Sequence, residues 1–291
     1  MISEFEEGEY RGPLFNQLEK GSHLLWEPGQ VFEKHIGIDR ASNCLNSYLW
    51  KLYGRNFPLG GVNIRGRSFR HIWGTATPGK ILPDFSLNLF IQAKRAEYSS
   101  QSKKSLKPHI NNAYWHFEIT PHQQIALEHL ETELGNDALV IYASPAFHMQ
   151  QDLYDHTSNR TVIENSTFPK ASTLRGHTKW YYDKPGMTGV ANPDFEFLEG
   201  GQLYNNIESL RKNKGEIIKD NKIKNLQKIA NAILKVVEGQ SKDFRASQFA
   251  YNNDLIQNFI ERRQVQDVKG LREIMQIHTF NYLWKLQWMT F

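Results

Sequence analysis

Between Asp84 and Lys94 the chain reads DFSLNLFIQAK, and its residues alternate in character. Phe85, Leu87, Leu89, Ile91 and Ala93 are apolar, and between them stand Asp84, Ser86, Asn88, Phe90, Gln92 and Lys94. A period of two marks a half-buried strand, here with its odd face on a core. The other face carries a carboxylate, an amide and an ammonium. A carboxylate and an ammonium held close together can bind a divalent cation and polarise a phosphate. One straight strand cannot do this, because Asp84 and Gln92 would lie about 26 Å apart at roughly 3.3 Å per residue. Metal ligands sit about 2–2.6 Å from their ion. A tight turn or bulge is therefore expected at Ser86–Asn88, with Asp84 ending one strand and Leu89–Arg95 forming the next.

Pro83-Asp84 followed by Gln92-Ala93-Lys94-Arg95 resembles the PD-(D/E)xK nuclease superfamily, and is most similar to its Mrr-like restriction endonuclease branch. In that branch glutamine often replaces the acid of the last motif, giving QxK. The resemblance covers roughly Gln30–Ala146. It implies an α/β fold with a mixed sheet, built on an αβββαβ restriction-endonuclease-like core. It implies a metal-dependent endonuclease acting on double-stranded DNA, in restriction or anti-phage defence, as a homodimer or with a defence-complex partner. Asp84 and Gln92 would hold Mg²⁺ or Mn²⁺, and Lys94 would position water and stabilise the phosphate. The family's first core helix often carries an acid directed at the metal; Glu33 is the candidate by order and Asp39 the second. A glutamine on the helix after the lysine strand supports the site in several branches, and Gln124 fits that place. The rival from another class is a catalytically inactive DNA-binding subunit, with Gln92 marking a decayed metal site.

The order of elements is a separate line of argument. Residues 1–30 read as an irregular arm with one or two helical turns near Leu14–Lys20. Val31–Gly54 has helical spacing through Ile38, Ala41, Leu45, Tyr48, Leu49 and Leu52. Phe57–Gly79 is glycine-punctuated and β-like. Tyr114–Ile119 reads as a short strand. A helix then starts at Thr120, with Pro121 at its first position and Gln123 completing a capping box; Leu127, Leu130 and Leu134 form its buried face and Gly135 ends it. Asp137–Ser144, DALVIYAS, suits a fully buried strand. Short strands are also expected at Thr161–Asn165 and Gly176–Asp183. The chain thus divides into an arm (1–30), a nuclease domain with a β-rich extension (31–204) and a helical C-terminal domain (205–291), the last including helices at Phe249–Arg263 and Val268–Trp288.

Composition narrows the alternatives. The net charge of +4 is compatible with nucleic acid without being diagnostic of it. Arg95, Lys103, Lys104, Lys107, Arg175 and Lys179 are the candidate DNA contacts, the middle three in a polar loop directly after QAKR. The single cysteine, Cys44, excludes a disulfide framework or zinc ribbon within one chain. No histidine falls in a metal-dense spacing, and His177 beside Gly176 reads as structural. Gly74–Lys80, GTATPGK, matches the front of a P-loop, but Ile81 replaces the Mg²⁺-binding hydroxyl and Pro83 cannot open the required helix. No apolar run approaches the 18 or so residues of a membrane span. The acidic N-terminus lacks a signal-peptide pattern, and a cytoplasmic protein is expected.

Overall fold

A computed structural model describes residues 1–18, 25–26, 41–42, 87–186, 188–199, 202–213, 222–263 and 270–290. Helix α1 (Glu7–Leu18) comes first, followed by two-residue strands β1 (Leu25–Trp26) and β2 (Ala41–Ser42). Strands β3 (Asn88–Ala93), β4 (Glu97–Ser99) and β5 (Tyr114–Glu118) precede helix α2 (Pro121–Leu134) and strand β6 (Ala138–Pro145). Helix α3 (Gln150–Asn159) leads to β7 (Ser166–Thr167), β8 (Lys179–Tyr182), β9 (Thr188–Asn192) and β10 (Glu196–Glu199). Helices α4 (Leu203–Asn213), α5 (Lys222–Gly239), α6 (Phe244–Arg263) and α7 (Leu271–Trp284) follow, then β11 (Gln287–Thr290).

The fold is mixed α/β. A four-stranded sheet has the order β11-β3-β6-β7, and β3 pairs parallel to β6 from Asn88↔Ala138 to Ala93↔Ala143. A five-stranded antiparallel sheet has the order β10-β9-β8-β5-β4. Both faces of β3 and β6 are buried, which suits a parallel pair covered on two sides. Leu89, Ile91, Ala93, Leu139, Ile141 and Ala143 face a core shared with Tyr10, Leu14 and Phe15 of α1. Phe90, Val140 and Tyr142 face another, which holds Leu127, Leu130 and Leu134 of α2, Ile229 and Ile233 of α5, and Trp180 and Tyr182 of β8. From Leu87 to Ala93 the odd side faces the core as expected, while the even side of β3 is buried as well.

Several expectations change. Asn88 is not at a bend: β3 has already begun, and the side chain ties β3 to β11 and to the turn before β6. Its Nδ2 donates to the Asp137 carbonyl at 3.1 Å, and its Oδ1 accepts from Trp288 Nε1 at 3.0 Å. Ser86 and the expected strand ending at Asp84 lie outside the described residues, as do Phe57–Gly79 and most of 31–54. Ala41–Ser42 is extended and pairs with Leu25–Trp26, so that part of the expected helix is not helical. The N-terminal helix begins at Glu7, well before Leu14. It forms despite Pro13 because Tyr10, Leu14 and Leu18 fall on one buried stripe. Thr161–Asn165 is a turn, with the extended residues at Ser166–Thr167. The final helix stops at Trp284, and Gln287–Thr290 adds an antiparallel edge strand to β3. Leu226, Ile229, Ile277, Phe280 and Trp284 share the core of α2 and the sheet.

Candidate functional site

Lys94 follows the last residue of β3. Its backbone N–H donates to the Ala143 carbonyl at 2.8 Å, which carries the parallel ladder one residue past the strand. The side chain is therefore held at the carboxyl end of a parallel pair, the edge where open α/β sheets present ligand sites. Only 8% of Lys94 is exposed. Its Nζ donates to Gln123 Oε1 at 2.9 Å and to Thr120 Oγ1 at 3.4 Å, and lies 5.8 Å from the centre of the Tyr142 ring.

The partners of Lys94 are the two residues that suggested a capping box. Thr120 is the N-cap and Pro121 opens α2, as expected, but Thr120 makes no capping hydrogen bond to the helix. Thr120 and Gln123 turn to the lysine instead, and Gln123 Nε2 reaches the Trp284 carbonyl at 3.4 Å. This sets a cation beside the positive end of a helix dipole, where an anion would be favoured. Burying an ammonium costs several kcal/mol, against about 1.5–3 kcal/mol returned by each hydrogen bond to a charged group. Desolvation is the larger effect and pushes Lys94 below the ordinary lysine range, opposed by the charges of Glu7 and Glu118 and reinforced by that of Lys285.

Gln92 lies two residues earlier on the same face of β3 and is 1% exposed. Its Nε2 donates to the Ala93 carbonyl at 3.1 Å, while its Oε1 is buried with no hydrogen-bond partner among the described residues. A buried amide oxygen without a donor is costly, about 1–3 kcal/mol. Gln124, the expected supporting glutamine, has another task. Its Oε1 accepts from Tyr142 Oη at 2.7 Å, and its Nε2 donates to the Ala171 carbonyl at 2.8 Å and to Glu128 Oε1 at 2.7 Å. It clamps α2 to β6 and to the segment before β8. Its side chain reaches the site through the Tyr142 ring, and its N–H donates to the Thr120 carbonyl at 3.0 Å.

The acid whose charge acts most strongly on Lys94 is Glu7. Residues 1–5 are laced to the chain just past Lys94: Ser3 N–H and Oγ both donate to the Ala96 carbonyl, at 3.3 and 2.6 Å, and Ile2 bridges Glu97. Helix α1 consequently starts at the end of β3. Glu9 Oε2 accepts from Glu6 N–H at 2.9 Å at its first turn. Burial raises the Glu7 carboxyl above the ordinary glutamate range, against the opposing pull of Lys94, Lys285 and Arg11. Glu7 escaped sequence reasoning because Gly8, Gly12 and Pro13 disguise the helix; the acidic run Glu6-Glu7 ahead of Tyr10 and Leu14 was the available signal.

Glu33, Asp39 and Asp84 lie outside the described residues. Arg95 is not a free cation: its Nη2 donates to the Ser3 carbonyl and helps fix the N-terminal segment. Arg175 pairs with Glu128 at 2.9 Å and Lys179 with Glu118 at 2.8 Å. The second pair adjoins the site, since the Glu118 charge acts on Lys94. Lys103, Lys104 and Lys107 are exposed on a loop pinned down by buried Leu106 and Ile110. His177 hydrogen-bonds the Asn192 carbonyl through Nδ1 at 3.0 Å, a structural role as expected. A cleft of about 250 Å³ between α5 and α7, lined by Gln227, Asn231 and Arg272, lies apart from Lys94 and its partners. Among the described residues no three His, Cys, Asp or Glu side chains converge, and no helix is long and apolar enough to cross a membrane. No protein-family model, curated protein or solved structure matches the chain.

Proposed function

We propose that the chain is a metal-dependent endonuclease that hydrolyses phosphodiester bonds of double-stranded DNA, in restriction or anti-phage defence, on an αβββαβ core of the PD-(D/E)xK type. Lys94 is the observation that carries this reading. A buried ammonium beside a helix N-terminus, held by two neutral side chains, is an arrangement that an anionic oxygen relieves. A phosphate is such an anion. The order β3, α2, β6, with the two strands parallel, supports the later half of the core.

The donor set fits a hard divalent cation, because the available ligands are oxygens. Gln92 Oε1 has no partner among the described residues, and the Glu7 carboxylate acts on Lys94 through its charge. Asp84 and Glu33 would add carboxylates, and Glu7 is a further acid coupled to Lys94. A bound Mg²⁺ or Mn²⁺ supplies Lewis acidity and makes a water nucleophilic near neutral pH. Lys94 Nζ stabilises the charge that develops on the phosphate oxygens and positions the attacking water. Thr120 and Gln123 fix the direction of Nζ, and the first turn of α2 adds its positive dipole. Lys103, Lys104 and Lys107 meet the duplex backbone.

Supercoiled plasmid incubated with and without Mg²⁺ tests the reading, with Lys94→Ala alongside. Magnesium-dependent nicking by the wild type and none by the variant is expected. The uncharged Gln92 favours a second reading, a DNA-binding subunit without catalysis, which predicts plasmid binding and no nicking by either protein.

A further inference from the structure

Lys285 is the first residue after α7, and it stands next to the site through a specific contact. Gln123 bonds Lys94 Nζ with its Oε1 and the Trp284 carbonyl with its Nε2. The backbone at 284–285 is thus one side chain away from the buried amine. Lys285 has φ 56, and its N–H donates back to the Asn281 and Tyr282 carbonyls. That left-handed position suits glycine, and a lysine there is strained. The side chain is exposed and forms no salt bridge among the described residues. Its charge acts on both Glu7 and Lys94.

We propose that Lys285 is a second phosphate-binding cation of this site, gripping the backbone of the bound nucleic acid while Lys94 serves the bond that breaks. The inference rests on the nuclease reading and deepens it. Lys94 is dry and fixed; Lys285 is solvated, on a flexible stem, and able to meet a phosphate before the substrate is seated. A cation at a helix C-terminus also complements that helix's own dipole, and for that purpose alone the site would not matter. The two roles separate by experiment.

The test uses a fluorescein-labelled DNA duplex in EDTA, with anisotropy followed across a salt series. The proteins are wild type, Lys285→Asn, Lys285→Gly, Lys285→Arg and, as a charge-matched control, Lys242→Ala in the turn between α5 and α6. Asn and Gly both tolerate the left-handed conformation, so folding is preserved. Lys285→Asn and Lys285→Gly are expected to bind roughly 5–10-fold more weakly and to lower the salt slope by about 1. Lys285→Arg should restore both values. In the Mg²⁺ assay the same two variants should raise KM and leave kcat within about twofold. Binding, slope and KM equal to those of Lys242→Ala would overturn the inference and leave a dipole role. Undiminished cleavage by Lys94→Ala would overturn the nuclease reading instead, and a wild type that neither binds nor cleaves would overturn both.

Discussion

Lys94 and Glu7 pull each other's titrations in opposite directions from burial, and the signs are testable. The ammonium of Lys94 is disfavoured in the folded protein, so its folded pKa lies below its unfolded one. Its ionisation therefore costs stability at neutral pH, and that cost is relieved as pH rises through the depressed value toward the ordinary lysine range. Lys94→Met should show its most favourable melting temperature, relative to wild type, near pH 7, and lose that advantage toward pH 10. A pH-independent difference would argue against a dry, charged lysine. Glu7 is shifted upward, so the ionised form that a cation needs is complete only above the ordinary glutamate range. The acid limb of the cleavage profile should follow Glu7, and Glu7→Gln should remove it together with most of the activity. Gln124→Ala is a contrasting case. It leaves the buried Tyr142 Oη without its acceptor and removes one of the two donors to the Ala171 carbonyl, for a loss of about 1–3 kcal/mol seen in thermal melting, with kcat nearly unchanged. At this scale the positions of Lys94 and Gln92 at the end of a strand were legible because a period of two is a local signal. Glu7 was not, because its nearness to Lys94 comes from residues 1–5 bonding to residues 96–98, a pairing no local pattern encodes.

Elements with a strong period were the easiest to read. The buried run at 138–145 and the helix opening at Thr120-Pro121 fall where the sequence puts them, since continuous apolar burial and proline at the first helical turn are local signals. The capping box failed because Thr120 and Gln123 had a better partner in three dimensions. The C-terminal strand was missed because Leu286–Thr290 follows a helix directly and is apolar enough to continue it. Close packing in the five-stranded sheet offers a check that is independent of the site. A Cβ on Gly189 of β9 would lie 2.3 Å from the Trp180 ring and 2.6 Å from the Tyr181 carbonyl. Gly189→Ala must shift the Trp180 ring or the strand, at about 1–3 kcal/mol or more, read as a lower melting temperature. A melting temperature equal to wild type would show that β9 and β8 are not this close.

At the scale of the molecule, the two ends of the chain meet at one strand. Residues 1–5 and α1 lie against the exit of β3, and β11 forms its outer edge, so the site depends on segments nearly the full chain apart. Ending the chain after Leu286 uncovers the β3 edge and frees Asn88 Oδ1. It should lower the yield of soluble protein and abolish activity although no proposed ligand is removed. Retention of full stability would mean that β11 is dispensable. The central claim concerns chemistry at Lys94, and plasmid cleavage decides it most directly. Wild type and Lys94→Ala are compared at equal concentration in Mg²⁺ and in EDTA, with circular dichroism showing both folded. Nicking only by the wild type, and only with Mg²⁺, is predicted; equal nicking by Lys94→Ala, or none by the wild type under any metal, would contradict it.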